Sequence, residues 1–127
     1  MKLIFIASAY QGKLENVMRS MMYADRLIRA GHAVFCPLLY HYMNQFRPHP
    51  EQVWKEQDMA VLLRCDGVFR DDSISEGADY EVQMAEDHFI PVYRDLDELI
   101  GIRVCPNCQT RNDHYYPDRG VWCCAFC

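Results

Sequence analysis

The feature that most constrains this chain is the alternation of short apolar runs with segments of helical period. Residues 2–7 (KLIFIA), 33–36 (AVFC), 65–69 (CDGVF) and 90–93 (IPVY) read as strands that are apolar in a run rather than at every second position. A strand with one wet face alternates. Strands that read as these do are buried on both faces, which is the signature of a parallel sheet covered by helices. The segments between them supply the cover. Leu14 to Ala30 has helical spacing, with Val17, Met21, Ala24 and Ile28 on one face and Gly31 as its stop. Glu51 to Leu63 forms a helix after Pro50, Gly77 to His88 another with Ala78, Val82 and Ala85 inward, and Asp95 to Ile100 a short last one. Right-handed crossovers then give an α/β protein, a small doubly wound parallel sheet with flavodoxin-like strand order.

Such sheets bind ligands beyond the carboxyl ends of their strands. Three segments fall there: Ser8–Lys13, Pro37–Pro50 and Asp71–Gly77. The first, SAYQGK, opens a helix whose free backbone N–H groups can receive a phosphate or carboxylate. It contains neither GxxxxGKS/T nor GxGxxG, so an ordinary turn explains it equally well. The second holds Tyr40, Tyr42, Phe46 and two histidines and reads as a long loop. The third runs into Ser75-Glu76-Gly77-Ala78-Asp79-Tyr80-Glu81. Ser75 suits a helix N-cap, the first-turn acids complement the helix dipole, and Gly77 lets backbone approach a ligand. Glu81, one turn in, projects toward the same crevice, where a carboxylate suits nucleophilic or general-base chemistry on a sugar carbon. Asp58 sits among Met59, Val61 and Leu62, an uncomfortable place for an unpaired acid, and is a candidate second carboxylate. Asp66 reads simply as a helix-to-strand turn residue. Tyr10, Tyr40 or Tyr42 can stack on a base or pack structurally.

Composition enters through what it excludes. The chain has 127 residues, half of them hydrophobic and 13% aromatic, which excludes disorder. No apolar run approaches the roughly 20 residues of a membrane span. The net charge is −5 and argues against nucleic-acid binding. The N-terminal MKLIFIASAYQG is too short in its apolar part for a secretion signal and reads as a buried strand, so a reducing, cytoplasmic setting is expected. Seven cysteines are present, and the pairs Cys105/Cys108 and Cys124/Cys127 make two CxxC motifs. In a reducing setting that spacing predicts a four-cysteine zinc ribbon with one structural Zn2+, closed to catalysis. The YYPDRGVW between them suits a β-hairpin turning at Pro117–Gly120. Cys123 and His114 read as bystanders, and Cys36 and Cys65 as buried small hydrophobes. The chain therefore divides into an α/β domain, 1–101, and a zinc-ribbon tail, 102–127.

The motifs FIASAYQGK (Phe5–Lys13), GHAVFCP (Gly31–Pro37), EQDMAVLLRCDGV (Glu56–Val68) and SEGADYEVQMA (Ser75–Ala85) resemble, in order and spacing, the nucleoside 2-deoxyribosyltransferase superfamily with its 2′-deoxynucleoside 5′-phosphate N-hydrolase branch. The resemblance covers about 90 residues. It implies that Glu81 is the nucleophile that attacks the anomeric carbon and Asp58 the acid that assists base departure. It implies that Ser75 contacts a 5′-phosphate and that Ser8, Gly12 and Gly77 cradle sugar and phosphate. Two positions depart from the pattern: Phe5 stands where transferases commonly carry a tyrosine, and Glu76 adds an anion beside the phosphate site, with Lys13 or Arg47 as counter-charges. The expected activity is N-glycosidic cleavage, or deoxyribosyl transfer, on a nucleoside 5′-monophosphate or nucleoside. The alternative is a nucleotide-binding module without catalysis. The resemblance also implies a homo-oligomer, and the ribbon is expected to dock a protein partner or to cover the site.

Overall fold

The computed structural model describes residues 1–101 and, by their backbone, four two-residue strands at 103–104, 111–112, 115–116 and 121–122. One all-parallel sheet organises the described chain. Its strands are β1 (Leu3–Ala7), β2 (Ala33–Phe35), β3 (Gly67–Arg70) and β4 (Val92–Tyr93), in the spatial order β2-β1-β3-β4. β1 is the central strand: Ile4 pairs with Val34 on one side and Gly67 on the other. The chain leaves β1 toward β2 and then crosses back to β3, so the order reverses between β1 and β3, where a crevice forms at the carboxyl ends.

The burial of β1 explains its sequence. Ile4 and Ile6 enter the apolar layer formed with Leu27, Phe69, Leu96, Leu99 and Ile100. Phe5 and Ala7 enter the opposite layer with Leu62, Cys65, Val68, Ala78 and Ala85. All four are completely buried, so none of these four positions can be polar. The helices are α1 (Leu14–Arg29), α2 (Tyr40–Phe46), α3 (Glu51–Leu62), α4 (Glu76–Asp87) and α5 (Asp97–Ile100). The first layer lies under α1 and α5 and the second under α3 and α4.

Two expectations are corrected. The segment Pro37–Pro50 is not a loop: it holds a 3₁₀ turn, Pro37–Leu39, followed by α2. Its prolines stand at the edges. Pro37 occupies the first position of the turn, where a missing N–H costs nothing, and Pro48 and Pro50 follow the helix end, so no proline interrupts α2. The inner face of α1 is rotated from the expected one. It is formed by Asn16, Val17, Ser20 and Leu27, while Met21 and Ile28 are 41% and 55% exposed. The two buried polar side chains are satisfied: Asn16 Nδ2 donates to the Tyr10 carbonyl at 2.9 Å, and Ser20 Oγ lies 3.2 Å from Cys36 Sγ. A hydrophobicity pattern cannot select Asn16 and Ser20 as core positions, because what admits them is their tertiary partners.

Asp66 is the turn residue expected. Its N–H donates to the Leu3 carbonyl at 2.8 Å and its carboxylate accepts the Leu3 N–H at 2.7 Å, tying the start of β3 to β1. Beyond residue 101, β5 (Arg103–Val104) pairs antiparallel with β6 (Arg111–Asn112), and β7 (Tyr115–Tyr116) with β8 (Val121–Trp122). Cys105, Cys108, Cys123, Cys124, Cys127, His114 and the turn at Pro117–Gly120 lie outside the described residues. Among the described residues, no helix is long and apolar enough to cross a membrane.

Gly67 lies against the Tyr93 ring, with no room for a side chain of its own. A Cβ there would stand 2.9 Å from Tyr93 Cε2 and 3.3 Å from Ile4 Cδ1. The Tyr93 ring cannot swing away freely, because its hydroxyl accepts from Lys2 Nζ at 3.0 Å. Gly67→Ala is expected to destabilise the protein by about 1–3 kcal/mol in urea unfolding. An unchanged midpoint would show that the sheet absorbs the methyl group.

Candidate active site

The carboxyl ends of β1 and β3 lie side by side, with Ala7 in register with Arg70. The next residue, Asp71, is buried and gathers the loops that follow both strands. Its Oδ2 accepts from Ser8 Oγ at 2.6 Å. Its Oδ1 accepts from Ser73 Oγ at 2.5 Å, from the Ser73 N–H at 3.3 Å and from Arg70 Nη1 at 2.9 Å. Ser73 Oγ in turn accepts the Ala9 N–H at 2.9 Å. The first and third loops of the crevice are thus joined through one carboxylate. Burial, followed by the charge of Asp71, raises the Tyr23 phenol above its ordinary range.

The first loop turns sharply at Gln11 and Gly12, with φ of 51° and 68°, closed by the Lys13 N–H donating to the Tyr10 carbonyl at 3.0 Å. Gly12 is required by this left-handed backbone rather than by crowding, since a Cβ there would meet nothing within 4 Å. Tyr10 Oη lies 2.5 Å from His41 Nδ1 on α2. In the third loop, Ser75 caps α4: its Oγ accepts the Ala78 N–H at 3.0 Å, and its own O–H remains a donor. A Cβ on Gly77 would meet only Ser75 Oγ, at 3.8 Å, so the start of α4 is open to close approach.

Glu81 and Asp58 come from different helices, α4 and α3, and both are half-buried. Burial pushes the Asp58 carboxyl up to about 7, and its Oδ1 has no hydrogen-bond partner. Burial also pushes Glu81 up to about 8; the charge of Asp58 adds to the rise and that of Arg70 opposes it. The two carboxyls therefore share one poorly solvated environment and resist being ionised together. Tyr40 borders it, its phenol raised by burial and then by the charge of Asp58. The Tyr40 ring stacks on Trp54 at 4.9 Å and meets Phe35 edge-on, so it belongs to the aromatic packing that holds α2. Tyr42 is exposed and Phe5 is wholly buried. Lys13, Arg47 and Glu76 are exposed. Cys36 and Cys65 are buried free thiols with raised pKa, Cys65 to about 11, which keeps them protonated and unreactive.

Arg70, Asp71, Ser73 and His41 were not singled out from the sequence. Arg70 offered one signal, a cation directly after the apolar Gly67-Val68-Phe69. Among the described residues, no group of three or more His, Cys, Asp or Glu side chains is arranged to hold a metal ion.

The sequence matches, over residues 2–95, the family described as Domain of unknown function (DUF7768). The chain belongs to that family. No curated protein matches it. The solved structure of a 2-deoxyribosyltransferase from the psychrotolerant bacterium Bacillus psychrosaccharolyticus is similar in fold, with TM-score 0.59 and 17% sequence identity, over 80% of this chain and 92% of that one. That enzyme is described as a biocatalyst for nucleoside synthesis. The DUF7768 domain thus has a nucleoside deoxyribosyltransferase-like fold.

A carboxyl whose pKa is raised by folding stabilises the protein while neutral and loses that contribution as pH climbs from its unfolded value toward its folded one. For Glu81 the window runs from about 4.5 to about 8. Glu81→Gln is therefore expected to raise stability at pH 8.5, by about 1–3 kcal/mol, and to change it little at pH 4.5. Thermal unfolding at the two pH values checks this, and a variant no more stable than the parent at pH 8.5 would contradict the burial of the charge.

Proposed function

We propose that the protein breaks the N-glycosidic bond of a nucleoside 5′-monophosphate or nucleoside, delivering the sugar to water or to a second base. The observation that carries the reading is the pair of half-buried carboxyls, Glu81 and Asp58, with pKa values raised to about 8 and about 7 beside the carboxyl ends of a parallel sheet. The fold likeness to a 2-deoxyribosyltransferase supports it.

In this mechanism the Glu81 carboxylate attacks the anomeric carbon as the carbon–nitrogen bond breaks. The bonding electron pair leaves with the base, and Asp58 supplies the base with a proton. Positive charge on the sugar ring is stabilised by the carboxylate in its weakly solvated surroundings. Water or another base then cleaves the glycosyl ester, with Asp58 accepting the proton. The open start of α4, with the Ser75 hydroxyl and the Gly77 backbone, receives the 5′-phosphate, and Ser8, Tyr10 and Gly12 border the sugar side.

Attack needs Glu81 ionised and Asp58 protonated. Because the two titrate as a pair, kcat/KM is expected to follow a bell with limbs near 7 and 8. Incubation with nucleoside monophosphates and nucleosides, with chromatography of the released base, tests the reading. Glu81→Gln is expected to lose on the order of 10³-fold or more, and Asp58→Asn about 10²-fold. Base release that survives Glu81→Gln would remove Glu81 from its role. The second reading, a binding module without turnover, is favoured by the high pKa of Glu81, which leaves the carboxyl mostly protonated at pH 7. Ligand binding with no base released from any substrate would establish it.

The tail is proposed to hold one structural Zn2+ through Cys105, Cys108, Cys124 and Cys127. The CxxC spacing of the two pairs supports this, since four thiolates complete a closed tetrahedral site. Such a closed site would serve docking to a protein partner or to a second copy of the chain in a homo-oligomer. Metal analysis is expected to find about one zinc per chain, lost in Cys105→Ser. A metal-free protein with unchanged stability would remove the ribbon.

A further inference from the structure

We propose that His41 is a positioning residue for Tyr10: together with Gln45 it fixes the direction of the Tyr10–His41 hydrogen bond, so that the Tyr10 hydroxyl donates into the crevice to an oxygen of the ligand's sugar. The inference rests on the reading above, in which Tyr10 borders the sugar of a nucleoside or nucleoside 5′-monophosphate.

The contact joins two of the three segments at the carboxyl ends of the strands. Tyr10 lies in the loop that follows β1, and His41 lies on α2, which follows β2. The backbone of Tyr10 is pinned. Its carbonyl accepts from the Lys13 N–H at 3.0 Å and from Asn16 Nδ2 at 2.9 Å. The N–H of its neighbour Ala9 donates to Ser73 Oγ in the third loop at 2.9 Å. At the far end of the side chain, Tyr10 Oη lies 2.5 Å from His41 Nδ1, and the two rings meet edge-on with centroids 5.6 Å apart. Both residues are half-buried, so the phenol is held without being sealed from the crevice.

The second ring nitrogen decides the direction of the bond. His41 Nε2 lies 3.1 Å from Gln45 Nε2, one turn further along α2. An amide nitrogen only donates, so His41 Nε2 accepts and carries no proton. A neutral imidazole with Nε2 bare carries its proton on Nδ1, because the bond made by one ring nitrogen sets the state of the other. His41 Nδ1 therefore donates to Tyr10 Oη. The phenol oxygen is an acceptor toward His41, and its own O–H is left to donate elsewhere. A mere tether between the first loop and α2 would be served equally by the opposite tautomer, with Tyr10 donating to Nδ1. What Gln45 adds is direction, and direction matters only to a group beyond the phenol. The ring and hydroxyl oxygens of a nucleoside sugar are such groups, since each can accept.

Long-range ¹H–¹⁵N NMR of the full chain under alkaline conditions, with the His41 ring assigned by its loss in His41→Phe, reads the tautomer without requiring turnover. The parent is expected to show His41 protonated at Nδ1 and bare at Nε2. Gln45→Leu, at an exposed position, removes the donor that keeps Nε2 bare and should move most of the proton to Nε2, turning the hydrogen bond round. Binding is read by calorimetry in a Glu81→Gln background, with the common 2′-deoxynucleosides and their 5′-monophosphates as probes. For the tightest of them, Tyr10→Phe is expected to weaken binding about 10-fold, the loss of one hydrogen bond. Gln45→Leu should weaken it several-fold, and the two changes together no more than Tyr10→Phe alone. A parent His41 protonated at Nε2, a tautomer unmoved by Gln45→Leu, or a Gln45→Leu effect that persists without the Tyr10 hydroxyl would each overturn the proposal. Binding of none of the probes would overturn the nucleoside reading and the sugar contact with it, and an intact Nδ1 tautomer would tell that failure apart from a wrong assignment of His41.

Discussion

The candidate site depends on a carboxylate that water barely reaches. Asp71 follows β3 and gathers Ser8 from the first loop, Ser73 from the third and the guanidinium of Arg70. A buried charge is tolerated only when it is paired and hydrogen-bonded, and Asp71 meets both conditions. Removing any one partner would leave an uncompensated group in a place with little solvent to replace it. The loops beyond β1 and β3 are therefore held together by mutual need rather than by apolar contact, and α4 starts from a fixed point.

That fixed start places Glu81. The first turns of α4 are anchored by the Ser75 cap and by Asp79 on Arg70, while Ala78, Val82 and Ala85 are buried. Glu81 is carried along on this helix into a half-buried position that a free carboxyl would avoid. Asp58 arrives in the same way on α3. Both carboxyls are destabilised as ions by burial, and the charge of Asp58 adds to the rise at Glu81. Groups held in this state contribute little to stability, which is the usual physical mark of groups kept for chemistry or recognition.

Several parts of this arrangement were readable in advance. Unbroken apolar runs such as that of β1 mean burial on both faces, and so a covered parallel sheet. Asp58 stood out because an acid among Met59, Val61 and Leu62 has no solvated face to occupy. Glu81 and Ser75 stood out through their spacing around Gly77. Other parts were not readable. The inner face of α1 includes Asn16 and Ser20, admitted by partners on Tyr10 and Cys36 that are distant in sequence or set by a turn. The helical nature of 40–46 was hidden by prolines that mark its boundaries rather than its interior.

The sequence by itself determined the layered architecture, because the period of apolar residues is a local property that each segment carries alone. It also singled out the two carboxyls and the paired cysteines, through residue type and spacing. Only the tertiary structure decided what those carboxyls experience. Desolvation, the proximity of Asp58 to Glu81, and the sharing of Arg70 between Asp71 and Asp79 arise where β3, α3 and α4 converge. Electrostatic interaction depends on distance and burial in space, and no spacing along the chain encodes either.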